Sequence, residues 1–184
     1  FNANKIHYTS FQEQSECKSL KIPVKSFVIP NGLDTQFWRA SEEAASAWRS
    51  INKVPFNKFL ILNIGRLHHK KGLDLLPEIL SNIKSEDWIM IFIGGDDDGT
   101  KTILINEFKK RKILEKILFL DPKNPSELLG AYSAADIFVL PSRHENFGNV
   151  VIESLACETP VIISNNVGIH KEIESAEVGW VFPR

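Results

Sequence analysis

Two stretches of this 184-residue chain have residue types and spacings suited to chemistry on a phosphorylated ligand. In the first, GRLHHKKG at 65–72, Arg66 and Lys71 follow Gly65 at the end of an apolar run. Two cations at the mouth of a sheet can neutralise a diphosphate, each charge-assisted hydrogen bond contributing roughly 1.5–3 kcal/mol. Taken alone, the same residues read equally well as a solvated basic turn. The second stretch, YSAADIFVLPSRHENFGNVVIESLACETP at 132–160, carries Glu145 and Glu153. On one continuous helix these carboxylates would stand about 80° apart in projection and about 12 Å apart along the axis, too far to act as a pair on one glycosidic bond. If the helix starts near Phe147 or Gly148, Glu145 precedes it and Glu153 projects from its second turn. The free N–H groups and positive end of that helix then face a phosphate, with a hydroxyl acceptor on either side. Spacing alone does not separate this from a loop carboxylate beside an ordinary helix glutamate.

Other chemical readings are weaker. His68 and His69 are adjacent and lack a carboxylate or cysteine at ligand spacing, so they read as surface residues rather than metal ligands. The turn GGDDDGTKT at 94–102 departs from the dinucleotide fingerprint, because Asp96 stands where a glycine must let a pyrophosphate approach. It also departs from the P-loop pattern, since Thr100 displaces Lys101 by one position. Asp96 and Asp98 have no further identifiable oxygen ligands and read as an acidic helix start. No metal and no cofactor is expected.

The elements that must position these residues alternate regularly from Lys58 onward. Strands are expected at FLILNIG, WIMIFIG, ILFL, IFVL, VIIS and GWVF, separated by helices near 73–84 and 100–112, one opened at Asn124, one after Gly148 and a short one near 170–175. Asn124-Pro125-Ser126-Glu127 is a helix start with an N-cap, a proline at the first position and a glutamate at the third. Apolar strands alternating with helices predict a doubly wound, Rossmann-like α/β domain with a parallel sheet and helices on both faces, over residues 55–184. Its ligand loops lie at the carboxyl ends of the strands, where the unusual residues fall. Before it, residues 1–54 hold one strand-helix-strand unit: KIHYTS, a helix opened by Ser10 and Glu13, and SFVIP closed by a turn at Asn31-Gly32. A connecting helix at 41–50 is capped by Ser41.

Composition bounds the partners. Lys plus Arg is 22 and Asp plus Glu is 23, a balance that gives no signature for nucleic acid. Cys17 and Cys157 are far apart and fit a reducing compartment. The apolar runs are far shorter than the roughly 20 residues of a transmembrane segment, and the first residues lack the pattern of a signal peptide. The start at Phe1 suggests a piece of a longer protein.

The stretches SFVIPNGLDTQFW, ILNIGRLHHKKGLDLL, FIGG, YSAADIFVLPSRHENFGNVVIESLACETPVIIS and VGWVFP resemble, in order and spacing, the nucleotide-sugar glycosyltransferases of group 1 (family 4). That resemblance implies the C-terminal, donor-binding half of a two-domain GT-B enzyme, preceded in residues 1–54 by a remnant of the acceptor domain and the interdomain linker. It implies that Arg66 and Lys71 neutralise the donor diphosphate and that Glu145 faces the donor sugar. Gly65, Asn146, Phe147, Gly148, Asn149 and Val150 would line the donor site, Glu153 would accept from the ribose, and the loop at 121–124 would border the base. It further implies metal-independent transfer of a hexosyl-type sugar with retention. The acceptor, a saccharide or a lipid-linked one, would be met through a domain outside this segment, at a cytoplasmic location with peripheral membrane contact through that domain. The isolated segment would bind donor without turnover. A non-catalytic nucleotide-sugar-binding module, or a GT-B isomerase or phosphorylase, would share these residues. Asn146 and Glu158 stand where the common pattern has glycine, and VGIHKEI replaces a loop richer in glycine and proline.

Overall fold

The computed structural model describes residues 4–21 and 23–184. Six strands form one sheet: β3 (Phe59–Ile64), β4 (Trp88–Ile93), β5 (Ile117–Leu120), β6 (Ile137–Leu140), β7 (Val161–Ser164) and β8 (Gly179–Phe182). Their spatial order is β5-β4-β3-β6-β7-β8 and every neighbouring pair is parallel. This is the doubly wound arrangement that the alternation of apolar strands and helices predicts.

Side-chain alternation along the strands divides the core in two. Leu60, Leu62, Ile91, Ile93, Phe138, Leu140, Val161 and Ile163 join one buried cluster, while Ile61, Met90, Phe92 and Val139 join the other. The first cluster is completed by helices α2 (Glu42–Ile51), α5 (Pro125–Ala134), α6 (Asn149–Ala156) and α7 (His170–Ala176), through Trp48, Tyr132, Val151 and Ile173. The second is completed by α3 (Leu76–Ser81) and α4 (Thr100–Lys110), through Leu76, Leu80, Leu104 and Phe108. Burial on both faces explains why the strands read as continuous apolar runs. Helix α2 is tied in by Arg49, whose guanidinium donates to the Ala134, Pro55 and Lys58 carbonyls and pairs with Asp136 at 3.2 Å.

The N-terminal residues form a separate two-stranded parallel sheet of β1 (Lys5–Tyr8) and β2 (Lys25–Val28), connected by α1 (Phe11–Cys17). Three local expectations are refined. The segment after Gly72 runs first as a 3-10 turn at Leu73–Leu75 and is α-helical only over Leu76–Ser81. Pro77, in the first turn of α3, lacks an N–H to donate, so a helix can start there more easily than run through it. Asn31-Gly32 is not a turn; the chain turns at Asp34, whose Oδ1 accepts from Gln36 N at 3.0 Å and Phe37 N at 3.2 Å. At α1, Ser10 caps Glu13 N, but the Glu13 carboxylate reaches Thr9 N at 2.7 Å rather than closing a capping box. The box at Asn124 and Glu127 is complete.

Candidate functional site

Strands β3 and β6 are hydrogen-bonded neighbours, with Ile61 opposite Ile137 and Leu62 opposite Phe138. The winding reverses between them: β4 and β5 lie to one side, β7 and β8 to the other. Loops leaving the carboxyl ends of such a pair diverge and open a crevice, which is where open α/β sheets bind ligands. Those loops are the GRLHHKKG and PSRHENFG segments, separated by about seventy residues of sequence.

Lys71 ends a 3-10 turn that stops at Gly72, whose φ is +66°. A Cβ on Gly72 would lie 2.1 Å from the Pro141 carbonyl oxygen, so only glycine lets the two loops meet. Arg143 N donates to Lys70 O at 2.8 Å, and the Arg184 guanidinium bridges the Gly72 and Pro141 carbonyls. Asp74 accepts from both Arg143 and Arg184. In this frame the Lys71 ammonium donates to Glu145 Oε2. The two side chains are 21% and 24% exposed, so water and salt screen the pair less than an exposed one. Gly65 lies beneath it, a Cβ there falling 3.8 Å from Lys71 Cε.

Arg66 is turned elsewhere. Its side chain is 73% exposed and pairs with Asp97 at 2.9 Å. The neighbouring histidines meet an acid that sequence adjacency did not reveal: Asp98, from the loop after β4. Potential ligand atoms of His68, His69 and Asp98 lie within 4.8 Å of one another. The Asp98 oxygens already accept from His69 N, His69 Nδ1, Thr100 N and Thr100 Oγ1. These bonds, the Thr100 hydroxyl foremost, hold the Asp98 carboxyl well below its ordinary pKa and clasp the β3 and β4 loops together.

The loop carrying Glu145 is fixed on its other side by the segment after β7: Glu145 N donates to Asn166 O at 3.0 Å and Gly168 N to Glu145 O at 2.8 Å. Helix α6 begins after Gly148, which stands at φ +95° and ψ +60° with no side chain capping the start. Among the described residues, the N–H groups of Phe147, Gly148, Asn149 and Val150 have no hydrogen-bond partner. Phe147 is buried in the core and Val150 packs against it, which holds this row of donors in place. Glu153, in the second turn, accepts from the Tyr132 hydroxyl at 2.8 Å. Burial pushes the Glu153 carboxyl above its ordinary pKa, against the Tyr132 hydrogen bond. Burial, then the Glu153 charge, raises the Tyr132 phenol well above its own.

Sequence reasoning missed the groups that surround these residues. Asn146 accepts at its carbonyl from Ser10 Oγ at 2.8 Å, and its amide donates to Glu13 Oε1 at 3.1 Å. Asn149 Oδ1 accepts from Asn31 Nδ2 at 2.8 Å. The N-terminal unit therefore docks on the loop that carries Glu145 and on the start of α6. Tyr132 was the one legible omission, since a buried phenol needs an acceptor. The loop at 121–124 follows edge strand β5, and its Asn124 is engaged in the α5 capping box.

Residues 45–184 match the family described as glycosyl transferases group 1. The D-inositol 3-phosphate glycosyltransferase of Corynebacterium jeikeium is 31% identical over 164 residues, covering 83% of this chain and 38% of that protein. The fold matches sucrose-phosphate synthase from Thermosynechococcus elongatus with a TM-score of 0.87 at 26% identity, over 99% of this chain and 46% of that one. It matches Anabaena HepE in complex with UDP at a TM-score of 0.87 and 20% identity, over 98% and 50%. The chain thus spans about two-fifths to half the length of these proteins. Among the described residues, no helix is long and apolar enough to cross a membrane.

Proposed function

The chain belongs to the group 1 glycosyl transferases, and on that premise we propose that it is the donor-binding half of a retaining enzyme that moves a hexosyl unit from a nucleoside-diphosphate sugar to an acceptor hydroxyl. The observation that carries this reading is the Lys71–Glu145 pair beside four successive open N–H groups, at the β3/β6 crevice. An ammonium and a row of amides suit a diphosphate, and a carboxylate suits sugar hydroxyls. Lys71 has three N–H donors and can keep Glu145 while reaching a phosphate oxygen. Arg66 gives up an exposed ion pair worth about 0–1 kcal/mol when it turns to the diphosphate. Glu153 accepts from the ribose.

In the reaction, the bond from the anomeric carbon to the diphosphate oxygen loosens and the acceptor oxygen bonds to that carbon on the same face. The acceptor proton passes to the departing phosphate oxygen. Lys71, Arg66 and the α6 N-terminus stabilise the charge that grows on the diphosphate, and in this reading the transfer is metal-independent. Residues 1–54 belong with an acceptor-side domain and its linker, so residues 1–184 bind donor without turning it over. The acceptor, a saccharide or a lipid-linked one, enters through the rest of the protein on the cytoplasmic side.

The test is calorimetric titration of this chain with UDP, GDP and ADP, followed by assay of a longer protein containing it with labelled nucleotide sugars. One nucleoside diphosphate should bind, and nucleotide release in the longer protein should depend on an acceptor. Absence of binding to all three overturns the reading.

A further inference from the structure

We propose that Tyr132 is a positioning residue of the donor site, holding the Glu153 carboxylate as a fixed acceptor that selects ribose hydroxyls on the incoming nucleotide. The proposal rests on the donor-binding reading above. Tyr132 is fully buried, so its hydroxyl cannot swing to solvent. Its ring packs against Phe138, with centroids 5.8 Å apart, and edge-on against Trp38 at 5.7 Å. Its carbonyl accepts from Thr159 Oγ1 at 2.6 Å. Ring and backbone are thus both held, and the phenol is a donor with one direction.

That direction meets Glu153 Oε2 at 2.8 Å. Among the described residues no lysine, arginine or histidine pairs with Glu153. The groups bearing on it are the Tyr132 phenol from α5 and the Cys157 thiol just past the end of α6, and burial pushes that thiol up to about 11, so both are neutral near pH 7. A half-buried carboxylate without a cation takes up a proton readily, and once protonated it donates instead of accepting. The Tyr132 hydroxyl opposes this, because its hydrogen bond favours the ionised form. It engages one lobe of Oε2 and leaves Oε1 without a protein partner among the described residues, free to accept from a diol. A site built to accept from hydroxyls discriminates strongly against a ligand that lacks them. Position 132 should therefore govern discrimination at the ribose and leave the phosphates alone.

The experiment compares the nucleoside diphosphate that binds best among UDP, GDP and ADP with its 2′,3′-dideoxy counterpart, in the wild-type chain and in Tyr132→Phe, from pH 5.5 to 8. The wild type should prefer the ribonucleotide, and Y132F should lose about five- to tenfold of that preference while dideoxy affinity stays within about twofold. The pH at which the preference is half lost should move upward in Y132F. Replacing Tyr132 by 3-fluorotyrosine keeps the packing and gives a stronger donor, so the midpoint should move downward; this second measurement stands if the phenylalanine variant folds poorly. Equal weakening of both nucleotides, or an unchanged preference and midpoint in both variants, overturns the positioning role. A wild type that binds none of the three diphosphates overturns the donor reading itself, which is a different result.

Discussion

Glu145 and Glu153 flank the same helix start, yet the structure places them in opposite surroundings. Glu145 lies on a loop, bonded through its backbone to the segment after β7 and through its side chain to the Lys71 ammonium. Glu153 lies on a helix, half-buried, and its side chain meets a neutral phenol. A carboxylate paired with a cation orients that cation toward an anionic ligand while its remaining lone pairs accept from hydroxyls; one facing a phenol is held by a neutral donor alone. Under the proposed donor reading, two identical residues eight positions apart would meet different parts of one ligand. The difference arises from their neighbours, Lys71 and Tyr132, which come from other elements.

The largest test of this contrast removes the cation. In a longer, active protein containing this chain, Lys71→Ala should cost about 2–4 kcal/mol of transition-state stabilisation, roughly thirty- to a thousandfold in kcat/KM. Arg66→Ala should fall near about 2 kcal/mol, the lower end of that range, because nothing but an exposed pair with Asp97 positions its guanidinium. Steady-state kinetics of both variants check the order, and unchanged turnover in Lys71→Ala would remove Lys71 from the site.

A smaller test shifts one carboxylate against the other. Gly148→Ala places a Cβ 3.0 Å from Val167 Cγ1 at a φ of +95°, a conformation that side chains rarely adopt. The strain should cost about 1–3 kcal/mol, lowering the melting temperature by roughly 3–8 °C. Because Gly148 joins the Glu145 loop to α6, diphosphate binding should weaken more than ribose discrimination. Thermal melts and titrations with pyrophosphate and with the nucleotide pair would show it; equal loss in both would mean that the two carboxylates are not independently held.

Much of the fold was legible in the sequence for a physical reason: strands buried on both faces must be apolar throughout, and helices between them must start and stop with recognisable chemistry, as at Asn124 and Gly148. The positions of the site loops followed, since ligands meet such sheets at the carboxyl ends of strands. What was not legible depended on pairings between distant segments. Nothing in GRLHHKKG says that Lys71 reaches Glu145 while Arg66 turns to Asp97, because strand order, not spacing, decides which loops touch. The docking of Ser10 and Glu13 on Asn146 spans more than 130 residues and leaves no local pattern. The Asn31-Gly32 turn was misplaced because a turn dipeptide states a permission, and Asp34 offered its side chain to the backbone instead.

The smallest effect tests the Glu153 side alone and carries a definite sign. Burial raises its pKa in the folded chain, so between the ordinary value near 4.3 and the raised one the folded state holds more protons than the unfolded. Stability therefore declines as pH rises through that window, and the ionised carboxylate costs something at neutral pH. Glu153→Gln removes the charge and keeps an oxygen for the Tyr132 hydroxyl. Because the side chain is only half-buried, solvent screening limits the gain, and the melting temperature should rise by about 1–2 °C at pH 7. The gain should vanish below about pH 4, where the wild-type carboxyl is neutral in both states. Ribonucleotide affinity should fall in the same variant, since the amide is a weaker acceptor than the carboxylate. Melting curves across pH decide it: a variant less stable than wild type at pH 7 would mean that Glu153 is stabilised in place by a partner beyond Tyr132, and the contrast with Glu145 would lose its basis.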